Sequence, residues 1–358
     1  MKKEGGKPTA PTVRLETWKS LLDVSLAFRE LAPWRWMGDS QMLGIQEGGN
    51  DTLRLASVLG AAGEVFGLIV YRGQEGLRCL WRALTREVDY SSPGTLFVPD
   101  AIGLDFGPKE CLTKEDRTVL KNLKYRSTAQ TSFFYPSYRS YLPGYYPWFV
   151  NQAEAEMLIA DLRRAIDFAR LLRKHPDLFE GRDFMEIPFY PEPLNGGNSL
   201  TPAALRWEQL IRPPEKEIQP VEIDEVTLER LKGFPVQNEE VWEFIVGFNC
   251  ATIWEAPRPY YTLTALLVEK RSCYITAVKA GKVGESNSLA AECLTEAICK
   301  LGHKPGRIRV KNQDLGNAIG LLCGQAGMKV ECATRLPVAE EVFHDLEKHL
   351  HGMGPLLT

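Results

Sequence analysis

The sequence has no apolar run of the roughly 18 residues that a membrane-spanning helix needs. Its amino-terminal Met1-Lys-Lys-Glu-Gly-Gly-Lys7 leads into Pro-Thr-Ala-Pro-Thr, where a secretory signal would carry an apolar core. A cytoplasmic protein that makes no membrane contact is therefore expected. None of the eight cysteines forms a C-x-x-C pair, the spacing that zinc ribbons and redox motifs use. Most sit at apolar positions of expected strands and helices and read as buried reduced thiols. Histidine is scarce, with five in the chain, and His344, His349 and His351 fall on different faces of the last helix, so no metal site is expected from them. No Ser/His/Asp or Cys/His relay is suggested by local sequence. A net charge of -3 excludes a generally basic nucleic-acid surface, leaving nucleic acid as an unfavoured partner.

What is present is an ordinary globular composition over 358 residues, 44% apolar and 25% charged, enough for two cores. Residues 1–13 read as a disordered arm, rich in Lys, Gly, Pro and Thr. An α+β domain with a mainly antiparallel sheet is expected over 14–183. Leu15, Trp18, Leu21, Leu22, Phe28 and Leu31 recur at helical spacing, and Pro33 ends that helix. Strands are predicted over 42–46, 52–59, 65–71 and from Thr95 to Val98 or beyond, with helices over 75–84, 114–123 and 151–174. The glycines between Gly60 and Gly67 lack the spacing of a phosphate loop, and Gly63 marks a turn.

Residues 133–149 hold nine aromatic side chains and three prolines. Prolines hold a segment extended and aromatic rings give broad contact area, so Tyr138, Arg139, Tyr141, Tyr145, Tyr146 and Trp148 are the candidate ligand-binding residues. The competing reading is a loop that packs its own rings over the core. Between Glu186 and Val221 seven prolines argue against regular structure, and residues 184–220 are read as the connection between domains.

The carboxyl-terminal domain, 221–358, is predicted as α/β. Helices are expected over 224–232 and 238–246, capped by Asp224 and Asn238. The runs Tyr261–Val268 and Cys273–Val278 make a hairpin about the Glu269-Lys-Arg-Ser272 turn, followed by helix, strand, helix, strand and helix. Arg307, Arg309 and Lys311 alternate with Ile308 and Val310, the pattern of a charged edge strand.

This ββαβαβα order resembles a shortened ribonuclease H-like fold. The resemblance implies Mg²⁺ held by carboxylates on the first strand, the next helix and after the following strand. The matching positions are Glu269, Glu292 or Glu296, and Asp314. Each has a simpler role: Glu269 lies in a charged turn, Glu292 and Glu296 face away from the helix's apolar stripe, and Asp314 stands at a helix start. The first half, through Leu31-Ala-Pro-Trp-Arg-Trp-Met-Gly-Asp39 and the stretch Gly63 to Leu77, resembles a family of uncharacterised bacterial two-domain proteins made of domains of unknown function. That resemblance implies no activity, cofactor or metal. The expected function is a non-enzymatic binding or interaction protein whose contact surfaces are the aromatic segment and the groove between the domains, with a protein, peptide or small molecule as partner. The alternative is a metal-dependent nuclease or phosphotransfer enzyme using Glu269 and Asp314.

Overall fold

The computed structural model describes residues 7–47, 52–87, 92–95, 98–127, 134–191, 200–215, 219–221 and 223–351. The first half builds a seven-stranded sheet. In chain order its elements are α1 (Leu15–Leu31), β1 (Leu43–Ile45), β2 (Arg54–Leu59), β3 (Phe66–Arg72) and α2 (Gly73–Leu84). They continue with β4 (Ala101–Gly107), α3 (Lys114–Asn122), β5 (Tyr135–Tyr141), α4 (Gln152–Lys174), β6 (Glu186–Phe189) and β7 (Arg206–Gln209). Strand order is β5-β4-β3-β2-β1-β6-β7, antiparallel except between β1 and β6.

Helices α1 and α4 cover one face of this sheet, where Phe28, Leu68, Ile102, Leu104, Leu158 and Leu162 share a core. Helix α2 lies over the other face, with Leu77 and Leu80 against Leu55 and Tyr71. Helices α3 and α4 begin in capping boxes, Thr113 with Asp116 and Asn151 with Glu154, so their starts follow from local sequence.

Three expectations change here. The strand expected from Thr95 lies partly outside the described residues, and the strand that forms is β4. Strand β5 arises inside the aromatic segment. The proline-rich stretch supplies β6 and β7; β7 is the edge, and β6 is only four residues long and meets β1 at Phe189 alone, so Pro188 interrupts little of the ladder.

The second half contains α5 (Glu225–Gly233), β8 (Val236–Ile253), β9 (Tyr260–Glu269), β10 (Ile275–Gly281) and α6 (Ser286–Leu301), then β11 (Lys304–Val310), α7 (Gln313–Gln325), β12 (Lys329–Cys332) and α8 (Pro337–His351). Sheet order is β10-β9-β8-β11-β12, antiparallel on the β9 side of β8 and parallel on the β11 side. Helices α5, α6 and α7 cover one face and α8 the other.

The domain is α/β as expected, but from β8 onward its order is βββαβαβα, with one strand more than the expected ββαβαβα. The stretch 238–246, expected as a helix, is the middle of β8. Trp242, Phe244, Val246 and Phe248 alternate onto the α6–α7 face, a period of two that outweighs the helix-start signal of Asn238, Glu239 and Glu240. Strand β11 is also not an edge, since it pairs with both β8 and β12, and its charged residues have partners instead. Arg309 faces Glu243, and Lys311 reaches Glu340 and Ser92.

Glu243 is a fully buried carboxylate on the central strand. Its Oε2 accepts from the backbone N–H groups of Val338 and Ala339, at 3.0 Å each, in the first turn of α8. The negative group thus meets the positive end of the helix dipole. The Arg309 guanidinium lies 3.7 Å from Oε1. Apolar contacts of Ala339 and Phe343 with Leu266 and Val268 complete the docking of α8. Removing one partner of such a buried group leaves the others unsatisfied, so Glu243→Ala is expected to cost about 3 kcal/mol. Glu269→Ala, in an exposed turn, is expected to cost about 1 kcal/mol or less. Urea unfolding of the two variants checks the difference.

Candidate functional site

The aromatic segment divides between a core and a domain contact. Tyr138 is buried beneath α1, with its hydroxyl donating to Ser25 and its ring 5.6 Å from that of Trp18. Arg139 forms a two-point ion pair with Asp116, at 2.9 and 2.6 Å, and its guanidinium lies over the Phe149 ring. Burial alone would raise the Asp116 carboxyl, but Arg139 and Thr113 hold it below its ordinary value. Tyr141 donates to Asp105, whose carboxyl is pushed up by burial. These three side chains therefore fasten β5 to its own domain. Phe133, the first aromatic of the segment, lies outside the described residues.

Tyr145, Tyr146 and Trp148 instead meet the β8–β9 hairpin. The Tyr146 ring lies 5.6 Å from Trp254 and 5.9 Å from Tyr261, and Trp148 lies 5.9 Å from Trp254. Backbone bonds join the same surfaces: Tyr146 N–H donates to Pro259 O at 3.0 Å and Tyr261 N–H to Gly144 O at 2.9 Å. Arg258, at the hairpin tip, donates to the carbonyls of Ser140 and Tyr146 and lies over the Tyr145 ring. Burial pushes the Arg258 guanidinium down to about 10.

A second contact brings residues 92–95 against β8. Phe248 N–H donates to Gly94 O at 3.0 Å, and a Cβ on Gly247 would lie 2.5 Å from that oxygen. Only glycine permits this approach of two backbones.

The carboxylates named by the ribonuclease H-like resemblance are not brought together. Glu269 ends β9, where it accepts from the N–H groups of Arg271 and Ser272 and from the Ser272 hydroxyl. Asp314 stands in the first turn of α7 beyond β11, and β8 lies between β9 and β11, a lateral separation of about 10 Å. The cap of α7 is Asn312, which accepts from Asp314 N–H, so the capping role expected for Asp314 belongs to its neighbour. Glu292 and Glu296 pair with Lys279 at the surface. With β8 as first strand, that strand carries Glu239, Glu240 and Glu243, of which Glu243 is fully buried with its oxygens facing α8 and Arg309. Among the described residues no three His, Cys, Asp or Glu side chains converge as a metal set would. Cys293 and Cys323 are buried, and burial pushes each thiol up to about 12, whereas Cys111, Cys273 and Cys332 are exposed.

A cleft that sequence reasoning missed opens in the first domain. It has a volume of about 630 Å³ and lies between α1 and residues 123–126, which follow α3. Leu22, Leu26, Trp34, Leu123 and Phe134 form its apolar wall. The Trp34 and Phe134 rings stack at 6.2 Å with 12° between their planes. Among the described residues that line the cleft, Arg29, Arg35, Lys124 and Arg126 stand against one acid, Glu30. Arg29 donates to the Tyr125 hydroxyl at 2.7 Å, which joins the two sides. Ala32 and Lys124, both lining residues, hold left-handed backbone at φ 49 and 54. The signal available in sequence was the Ala32-Pro-Trp-Arg35 break after α1 together with the Lys124-Tyr-Arg126 run after α3.

Fold and site define a two-domain α/β protein, and among the described residues no helix is long and apolar enough to cross a membrane. Residues 18–188 match the family model described as a domain of unknown function, DUF7309, and residues 227–347 match a second, DUF6930. The chain thus carries a DUF7309 domain followed by a DUF6930 domain. No curated protein matches the chain. Similar solved structures include the HTLV-2 integrase catalytic core domain in complex with magnesium, dimeric form, at 18% identity, covering 34% of this chain and 78% of that one with a TM-score of 0.26. The catalytic core domain of BIV integrase matches at 19% identity over 31% of this chain and 69% of that one, with a TM-score of 0.23. These overlaps are partial, and no site residue is transferred from them.

The domain contact generates a prediction. Gly247→Val places a branched side chain on the Gly94 carbonyl, and Trp254→Ala removes the ring between Tyr146 and Trp148. The double variant is expected to separate the domains, increasing the radius of gyration in small-angle scattering and admitting protease between them. An unchanged scattering profile would show that these contacts do not hold the domains together.

Proposed function

We propose that this chain is a non-enzymatic binding protein whose ligand is a small molecule held in the cleft between α1 and residues 123–126. The observation that carries this reading is the cleft itself: its volume of about 630 Å³ is within the range of small-molecule sites. Its wall combines apolar surface with several charged groups at the edge, which is how such sites obtain both affinity and orientation.

The aromatic segment supports an external macromolecular partner less well. Tyr145, Tyr146 and Trp148 are already engaged by Trp254, Arg258 and Tyr261 of the same chain. A phosphotransfer reading through Glu269 and Asp314 has less support again, since Glu269 is bonded within its own turn and Asp314 lies on the far side of β8. The protein is read as cytoplasmic, in keeping with its composition.

Leu26→Trp fills the cleft from α1. Thermal unfolding of the parent protein and this variant should be followed across a panel of nucleotides, sugar phosphates and aromatic carboxylates. A ligand at one hundred times its Kd adds about 2.7 kcal/mol, which raises Tm by several degrees. The expected result is at least one compound that stabilises the parent protein and not the variant. Stabilisation that the variant fully retains would place the ligand elsewhere and contradict the proposal.

A further inference from the structure

Resting on the cleft-binding reading, we infer that the ligand is a planar aromatic anion, its ring against Phe134 and Tyr125 and its negative group against Arg35 and Arg126. Among the described lining residues, four cations face one acid around an apolar wall. The charge balance of the whole chain is slightly negative, so this concentration of positive charge is local to the cleft.

The bland explanation of cations near helix ends is that they offset the negative end of the helix dipole, an effect that fades within the last turn. It accounts for Arg29, in the last turn of α1, and for Lys124, two residues past α3. It does not account for Arg35 or Arg126. Arg35 closes the single 3-10 turn Pro33–Arg35, too short to carry an appreciable dipole, and Arg126 stands four residues past α3; both are exposed, and neither has an ion-pair partner among the described residues. Guanidinium groups at such positions suit a carboxylate, sulfonate or phosphate, which they bind through paired N–H donors.

The apolar side is equally specific. Phe134 is half-buried, stacked on Trp34 and packed edge-on against Phe66 and Phe106, so its ring is held in place by the core behind it. Tyr125 is fixed from two sides, by the Arg29 bond and by edge contact with the Tyr135 ring. Two rings positioned before any ligand arrives favour a flat partner, because stacking then requires little further ordering.

The test uses two fluorescent probes with one aromatic skeleton: anilinonaphthalene sulfonate, which carries the anion, and phenylnaphthylamine, which lacks it. Each is titrated into the full-length protein, into Arg35→Ala/Arg126→Ala and into Leu26→Trp, with circular dichroism and Tm confirming that the variants remain folded. The expected result is one saturable sulfonate site, lost in Leu26→Trp and weakened at least tenfold or so in the double arginine variant. Phenylnaphthylamine should bind the parent protein more weakly and be indifferent to the arginine changes. If the two probes bind alike and the arginine variant alters neither, the anion class is overturned while the ligand cleft stands. If neither probe saturates, or Leu26→Trp leaves binding intact, the cleft reading falls with it.

Discussion

The constraint on which the structure most depends is the length of β8. Eighteen residues in extended conformation run about 60 Å, more than the other strands of its five-stranded sheet can flank. The far part of the strand pairs only with β9, across a register shift between Phe248 and Thr252 that the buried Asn249 fills by donating to Thr264. Strand β10 flanks β9 only as far as Leu263, so the tip, Thr252–Ile253 against Tyr260–Tyr261, is a two-stranded ribbon, which is marginal in water unless something covers it. The first domain does so through residues 92–95 and 144–148. The domain contact is thus a requirement of the hairpin, and it occupies aromatic surface that would otherwise be open to a partner.

The same strand accounts for the placement of Glu243. Along β8 the side chains alternate between the α6–α7 core and the α8 face, and Glu243 takes an α8-facing position. A carboxylate buried there must be compensated, and two N–H groups of α8 together with Arg309 do so. The group is therefore bound up in attaching the last helix. The cleft beside α1 differs in that charged groups are exposed there next to apolar surface.

How much of this was readable in advance follows from which signals are local. The starts of α3 and α4 were legible because Thr113 with Asp116 and Asn151 with Glu154 lie three residues apart and cap their own helices. The hairpin of β9 and β10 was legible from its two apolar runs. Strand β8 was misread because Asn238, Glu239 and Glu240 imitate a helix start, and its period of two emerges only from Trp242 onward. Strands β6 and β7 were hidden by the prolines in and around them, which four-residue strands with few ladder bonds tolerate. The cleft was illegible for a different reason: Arg29, Trp34 and Arg35 are separated from Tyr125, Arg126 and Phe134 by four strands of the first sheet, β1 to β4, and only the packing of α3 on α1 unites them.

The central claim is that ligand binding occurs in this cleft and not at Tyr145, Tyr146 and Trp148 or between the domains. Hydrogen exchange read by mass spectrometry, with and without saturating anilinonaphthalene sulfonate, tests it most directly. The account predicts slowed exchange in peptides spanning residues 22–36 and 123–127, with residues 254–261 and 269–275 unchanged. Protection confined to residues 142–148 and 254–261 would contradict it and return the site to the domain contact.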